Sequence, residues 1–328
     1  MNRKQKKTML LTLGLVVVLV VLLLGVRACS AHQEEQEAQE AEQQRLESQV
    51  PTASDTFESI TYDNGDVTLS FTHDDDGNWI WADDPEFPLD PSYLENLSDL
   101  ITALDPMQTI TDGDTLESYG LDAPTGTITA TAEDGTETVL LLGKELSDGS
   151  YYLKTGDSDT VYVVSSELHE CISKGIYDMA ILEDIPALTE DRLQSLTISG
   201  AQSVTFTVTQ DDEDGAVWKS EGEDVTEQVE DLASQLGVLS FTACIDYKPS
   251  DEAVSICGLD DPAAVLTATY LDDQGKEAQV TLTIGGETTD GTGRYARLND
   301  STTIYSIGSD AVSEILAVAQ SGLDGLSQ

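Results

Sequence analysis

Basic residues are scarce in this chain. Of its 328 residues, 15 are Lys or Arg and 62 are Asp or Glu, which gives a formal net charge of −47. Five of the basic residues precede Cys29, so the chain beyond Cys29 holds 10 basic and 62 acidic residues, a balance of −52. Such a surface repels phosphate groups. We therefore expect no nucleic acid partner and no binding of this portion to anionic lipid headgroups.

Histidine and the common catalytic motifs are also scarce. A histidine base could only be His32, His73 or His169, and no G-x-S-x-G motif accompanies them. The sequence also lacks the phosphate-binding motif G-x-x-x-x-G-K-[ST] and the zinc motif H-E-x-x-H. We therefore expect no catalytic residue and no cofactor. A carboxylate hydrolase stays open as an alternative, because 62 carboxylates could supply a catalytic pair almost anywhere.

One long apolar run lies near the N-terminus. Residues Met9 to Val26 carry no charge, and a helix of this length spans roughly 27 Å, close to the hydrocarbon thickness of a bilayer. The basic cluster precedes the run and a long acidic chain follows it. The positive-inside rule then predicts a cytoplasmic tail over 1–8, a transmembrane helix over 9–26 and an extracytoplasmic bulk in the cell envelope.

Two other fates of this N-terminus remain open. Cleavage after Val26-Arg27-Ala28 would make the run a signal peptide, and lipidation of Cys29 would make the protein a lipoprotein. Arg27 fits neither signal well, so an uncleaved anchor is preferred. Residues 27–50 are rich in Glu, Gln and Ala without an apolar face, which predicts an acidic helical stalk.

The rest of the chain repeats itself. The run Val67–Thr72, an acidic turn and Trp81 recur 137 residues later as Val204–Thr209, a second acidic turn and Trp218. A Gly-Leu-Asp-x-Pro turn also occurs twice. Its residues are Gly120, Leu121, Asp122 and Pro124 in the first copy and Gly258, Leu259, Asp260 and Pro262 in the second. This order of marks predicts a tandem duplication with repeats over 51–186 and 187–328.

Two further marks follow each turn. Leu142-Gly143 matches Ile284-Gly285, and Tyr152-Leu153-Lys154 matches Tyr295-Ala296-Arg297. Each copy has alternating apolar and polar residues in short runs, with helical spacing after the first two strands and again at its end. The pattern predicts an α+β fold in which each repeat is an antiparallel sheet with helices packed on one face.

Together with the apolar anchor, these marks resemble the domain-of-unknown-function family numbered 4340. The resemblance covers roughly residues 57–320, and it departs in the second copy, where Cys257 replaces Tyr119. It implies a membrane-anchored extracytoplasmic protein encoded beside ABC transporters of the gliding-motility type, and it carries over no catalytic residue. We therefore expect a non-catalytic binding or assembly module accessory to such a transporter. The alternative is an extracytoplasmic hydrolase that acts on cell-wall or exported substrate.

The repeated turn and the tryptophans have structural interpretations. Gly120 and Gly258 are expected to need positive φ, with the following Asp accepting backbone hydrogen bonds and the Pro fixing its own φ. Trp81 and Trp218 are expected to fill the core at equivalent positions. Trp79 has no counterpart in the second repeat, which leaves it room for an exposed role.

A calcium site and a disulfide are the remaining candidates. Asp212, Asp214 and Glu221 match part of an EF-hand loop, but Gln210 fails its first position and the flanking run has strand periodicity, which favours an acidic hairpin. The run His169-Glu170-Cys171 is a weaker metal candidate, because consecutive helical residues point apart.

Cys244 and Cys257 occur only in the second repeat and bracket an insertion, so we predict a disulfide between them in the oxidising compartment outside the membrane. The alternative is that both stay reduced.

Overall fold

The computed structural model describes residues 49–327, apart from 112, 157 and 212–214. The predicted tail, the predicted transmembrane helix, Cys29 and the stalk up to residue 48 lie outside this part. Within it, no helix is long and apolar enough to cross a membrane.

The first repeat forms an eight-stranded sheet. Its strands are β1 Ser59–Asp63, β2 Thr68–His73, β3 Trp79–Trp81, β4 Gln108–Ile110, β5 Gly126–Thr131, β6 Glu137–Glu145, β7 Tyr151–Thr155 and β8 Val161–Val164. They lie in the order β3-β2-β1-β5-β6-β7-β8-β4. The pairs β1–β5, β2–β3, β4–β8, β5–β6, β6–β7 and β7–β8 are antiparallel.

The second repeat forms a nine-stranded antiparallel sheet. Its strands are β9 Leu193–Ser199, β10 Ser203–Asp211, β11 Gly215–Ser220, β12 Glu223–Asp224, β13 Phe241–Asp246, β14 Ala264–Leu271, β15 Glu277–Glu287, β16 Gly293–Leu298 and β17 Ile304–Gly308. They lie in the order β12-β11-β10-β9-β14-β15-β16-β17-β13. Without the edge strand β12, this is the order of the first sheet with each strand replaced by its counterpart.

The helices in the part of the chain that the structure describes are short. They are α1 Ser92–Thr102, α2 Leu116–Tyr119, α3 Glu167–Ile172, α4 Glu230–Leu236, α5 Asp251–Ile256 and α6 Ser313–Ser321, with 3-10 turns at Ile176–Met179, Thr226–Gln228, Asp310–Val312 and Gly322–Ser327. Each repeat has one helix after its third or fourth strand, one before its Gly-Leu-Asp turn and one at its end. The predicted α+β class and the antiparallel sheets are confirmed.

The two tryptophans confirm the predicted duplication. Trp81 lies opposite Phe71 in the β2–β3 ladder, and Trp218 lies opposite Val208 in the β10–β11 ladder. Both members of the second pair lie 137 residues after the first, which is the offset seen in the sequence. The two indoles therefore occupy equivalent positions.

Burial of the tryptophans differs from the expectation. Trp218 is fully buried and its indole Nε1 donates to Glu190 Oε1 at 2.8 Å. Trp81 is only partly buried, and its Nε1 has no hydrogen-bond partner in the described part of the chain. Trp79, for which the sequence allowed an exposed role, is 8% exposed and its ring lies 3.9 Å from that of His73.

Helices cover both faces of the second sheet. The main core joins the strands to α4 and α6 through residues such as Leu232, Leu236 and Ile315. A smaller cluster forms on the opposite face, where Cys257 and Leu259 pack with Ile304 after α5. The expectation of helices on one face is therefore wrong for α5. Neighbouring strand residues point to opposite faces, so each face can bury its own apolar set.

The described chain divides into two compact units. One comprises the residues up to Thr68 together with Glu95–Ile172, and the other comprises Leu69–Leu94 together with the chain from Ser173 onward. This is a different division from 51–186 and 187–328. The repeat boundary itself stays a prediction.

Contacts of one loop help to explain this division. Phe87, in the loop after β3, packs edge-on against Trp81 and Tyr247 with ring centroids 5.6 and 5.5 Å apart. Lys248 Nζ lies 2.8 Å from a carboxylate oxygen of Asp84 and 3.1 Å from one of Glu86. These contacts tie the segment Leu69–Leu94 to residues that follow Ser173.

We expect Trp218→Ala to lower the free energy of unfolding by about 3–5 kcal/mol, the usual cost of removing a large buried aromatic side chain. Trp81→Ala is expected to cost less, because part of that ring is already exposed and its N–H loses no partner. Urea unfolding of the full chain measures both changes. Equal losses for the two variants would contradict the difference in burial.

Candidate functional site

The repeated turn is a helix end with the same hydrogen bonds in both copies. Gly120 follows α2 with φ of 69°, and Gly258 follows α5 one residue beyond its end with φ of 66°. The amide of Leu121 donates to Leu116 O at 2.9 Å, and the amide of Leu259 donates to Val254 O at 3.0 Å. This bond spans five residues and is typical of a glycine-terminated helix. The predicted positive φ is observed at both glycines.

The turn lies directly on a glycine of the neighbouring strand. A Cβ at Gly143 of β6 would overlap the carbonyl oxygen of Tyr119, and one at Gly285 of β15 would overlap that of Cys257. In the second copy the amide of Gly286 also donates to Cys257 O at 2.8 Å. The Gly-Leu-Asp turn and the strand segment Leu-Gly or Ile-Gly therefore contact each other in both repeats.

The aspartate of the turn does not stabilise the turn through a hydrogen bond to any described residue. Asp122 and Asp260 are exposed, and neither carboxylate accepts a hydrogen bond within the described part of the chain. The expectation that they accept backbone bonds is therefore wrong, because the helix-end bonds already use the nearby amides. Pro124 and Pro262 are half-buried, while Leu121 and Leu259 are buried.

The Tyr-x-Lys/Arg mark lies on the same face as the turn. Leu153 pairs with Leu142 and Ala296 pairs with Ile284, so the two copies have the same register. The Tyr152 ring lies 4.8 Å from that of Tyr119. In the second copy, Tyr295 packs against the cluster that contains Leu259.

The basic residue of this mark lies two positions after the tyrosine. Lys154 pairs with Leu141 across the β6–β7 ladder, and Arg297 pairs with Thr283 across the β15–β16 ladder. Two strand residues span roughly 6.6 Å, so each cation lies about that far along its strand from the tyrosine and on the same face of the sheet. Turn, glycine, tyrosine and cation therefore form one repeated surface, which we call the motif face.

These repeated marks also identify the family. A family model described as a domain of unknown function, DUF4340, matches residues 79–253 and residues 224–317. The chain belongs to the DUF4340 family. The two matches agree with the tandem copies predicted from the sequence. No curated protein and no solved structure matches the chain.

The predicted disulfide of this DUF4340 protein is absent. Cys244 and Cys257 are free thiols. Cys244 belongs to the main core, whereas Cys257 belongs to the cluster on the other face of the sheet with Ile304. The sheet therefore separates the two sulfur atoms, which the linear spacing could not indicate.

The calcium candidates do not form a site that the structure describes. Asp212 and Asp214 lie outside the described residues. Glu221 is exposed, has φ of 51° and lies in the β11–β12 turn, six residues along the chain from Gly215. A strand of that length spans roughly 20 Å. Glu221 is thus too far from the β10–β11 hairpin to complete an EF-hand loop.

His169-Glu170-Cys171 also shows no metal-binding arrangement. The three residues lie on α3, and the His169 ring stacks on that of Tyr151 with centroids 4.5 Å apart. Among the described residues, no group of three His, Cys, Asp or Glu side chains could hold a metal ion.

We expect Gly285→Ala to destabilise the fold by about 1–3 kcal/mol, because the new methyl group meets the carbonyl oxygen of Cys257. Gly286→Ala is the matched control, since its Cβ would lie 3.6 Å from that oxygen, an ordinary contact. Thermal unfolding of the full chain compares the two. A control as unstable as Gly285→Ala would contradict the contact as the cause.

We expect the Cys244 thiol to react slowly with a disulfide reagent while the protein is folded. Burial, assisted by the nearby Asp246 carboxylate, raises the pKa of Cys244 to about 11. At pH 8 only about one thousandth of the thiol is then ionised, and the thiolate is the reactive form. Reaction with Ellman's reagent, followed by peptide mapping, measures labelling before and after denaturation. Fast labelling of Cys244 in the folded chain would contradict its burial.

Proposed function

We propose that this DUF4340 protein is a membrane-anchored, extracytoplasmic binding or assembly module without catalytic activity, accessory to an ABC transporter. The observation that carries the proposal is the aspartate kept at the same place in both turns. Asp122 and Asp260 are exposed and make no hydrogen bond within the described chain. A residue that is repeated without a use in the fold is available to a partner.

The other residues of the turn already have a use in the fold. Glycine supplies the positive φ, and the leucine beside each aspartate is buried. The aspartate leaves an exposed carboxylate two residues beyond each glycine. Such a group accepts charge-assisted hydrogen bonds from Lys, Arg or backbone N–H groups. We therefore propose that the partner surface offers such donors.

Two copies of this turn favour a large partner over a small ligand. Two weak contacts to one partner raise the effective concentration of the second contact once the first has formed. The strongly acidic chain also attracts a basic surface over a longer range. We therefore propose that the partner is the outer side of a transporter held in the same membrane, and that this side is basic.

The anchor is part of this proposal. The uncharged run Met9 to Val26 and the basic residues before it favour a single pass with the folded repeats outside the cell. An anchored binding module stays at a high local concentration near membrane partners. This removes part of the entropic cost of association.

Photo-crosslinking in the native membrane tests the proposal. A photo-reactive amino acid replaces the exposed residues Ala123 and Asp261, one beside each turn, in the full chain. We expect capture of transporter subunits. The double variant Asp122→Asn with Asp260→Asn is expected to reduce capture about tenfold or more, because each contact loses its charge.

The matched control removes the same charge from two other exposed aspartates, with Asp76→Asn and Asp300→Asn. It should leave capture unchanged. Crosslinks that omit transporter subunits would contradict the accessory role. Hydrolysis of wall or exported substrate by the full chain would contradict the non-catalytic assignment.

A further inference from the structure

Several cations in the described part of this acidic chain have a carboxylate beside them. The partly buried Arg192 pairs with Asp273 at 3.1 Å, the partly buried Arg294 pairs with Glu287 at 3.2 Å, and the exposed Lys248 pairs with two carboxylates. Arg297 differs. It has no ion pair and no hydrogen bond among the described residues. Its Nε is buried without a partner, as is the Nε of Arg294, but Arg294 donates from its Nη2 to Glu287 whereas Arg297 donates to no described residue.

The position of Arg297 is repeated, but its environment is not. Its counterpart Lys154 is 9% exposed and donates from Nζ to the carbonyl oxygen of Gly156. Arg297 keeps the charge at the same register, opposite Thr283, with its side chain partly exposed. The first copy therefore uses its cation within the fold, whereas the second copy leaves its cation unused.

Packing alone does not account for an arginine at this position. The aliphatic stem could cover the neighbouring Tyr295, but a methionine would do this without a charge. Burying a guanidinium N–H without an acceptor costs free energy, because the group loses its hydrogen bonds to water. An external acceptor for the rest of the guanidinium would offset this cost.

We propose that Arg297 recognises a carboxylate on an acidic side chain of a protein partner at the motif face, where Thr283 is its neighbour across the β15–β16 ladder. This inference rests on the proposed function. The planar guanidinium matches the two oxygens of a carboxylate. A polyanion needs several clustered cations and is repelled by a chain of net charge −47, whereas one carboxylate on a basic surface is not.

A photo-reactive amino acid at Thr283 tests the proposal in the full chain within its native membrane. We expect a crosslink to a partner segment that contains Asp or Glu. Arg297→Gln and Arg297→Met should lower its yield about tenfold or more, and Arg297→Lys should retain most of it. Arg294→Gln is the matched control, because it removes an arginine of the same strand that already has its own carboxylate.

A second readout separates recognition from a structural role. Once the crosslinked acid is mapped, Arg297→Glu should abolish the crosslink, and the reverse charge change in the partner should restore it. Unchanged crosslinking by Arg297→Gln would overturn the inference. If capture by the turns still required Asp122 and Asp260, only the inference would fail, and the proposed function would stand.

Two further results would also overturn the inference. Unfolding of both Arg297→Gln and Arg297→Met would assign the residue to the fold. Absence of any captured partner with the unsubstituted chain would overturn the proposed function and the inference together.

Discussion

The close approach of a helix-end carbonyl to a strand glycine organises the repeated surface of this protein. In the second repeat, the carbonyl oxygen of Cys257 occupies the space that a Cβ at Gly285 would need, and it accepts from the amide of Gly286. The turn residues Cys257 and Leu259 pack with Tyr295, which lies two residues before Arg297 on the same strand. Because the same overlap occurs at Gly143, both sheets carry the motif face in the same place.

Much of the fold could be predicted because strands and repeats leave local signals. Alternation over Val67–Thr72 and Val204–Thr209 indicated paired strands, and the constant offset of 137 residues indicated equivalent positions for Trp81 and Trp218. The ladders Phe71–Trp81 and Val208–Trp218 confirm that equivalence. Such predictions succeed because the side-chain period of a strand is set by its backbone and not by distant contacts.

Other features depend on contacts that no local pattern specifies. The spacing of Cys244 and Cys257 gave no sign that a sheet lies between them. Cys244 lies in the main core, whereas Cys257 follows α5 and packs on the other face of the sheet. The compact units likewise depend on Phe87 meeting Tyr247, residues 160 positions apart in the chain. The sequence predicts that the Asp of the turn accepts backbone hydrogen bonds, because Asp often does so in turns. The glycine-terminated helix had already satisfied those amides.

Comparison of the two copies separates residues that the fold needs from residues that it tolerates. Tyr119 became Cys257 while the turn kept its geometry, so the ring is not required for the turn. Asp122 and Asp260 stayed the same although neither carboxylate makes a hydrogen bond with a described residue. Lys154 and Arg297 kept their charge, yet of the two only Lys154 donates to an acceptor among the residues that the structure describes. The two repeats therefore share one fold but differ in the side chains that they leave available at the surface. A partner that distinguishes them would contact the aspartate of either turn but the cation of the second repeat alone.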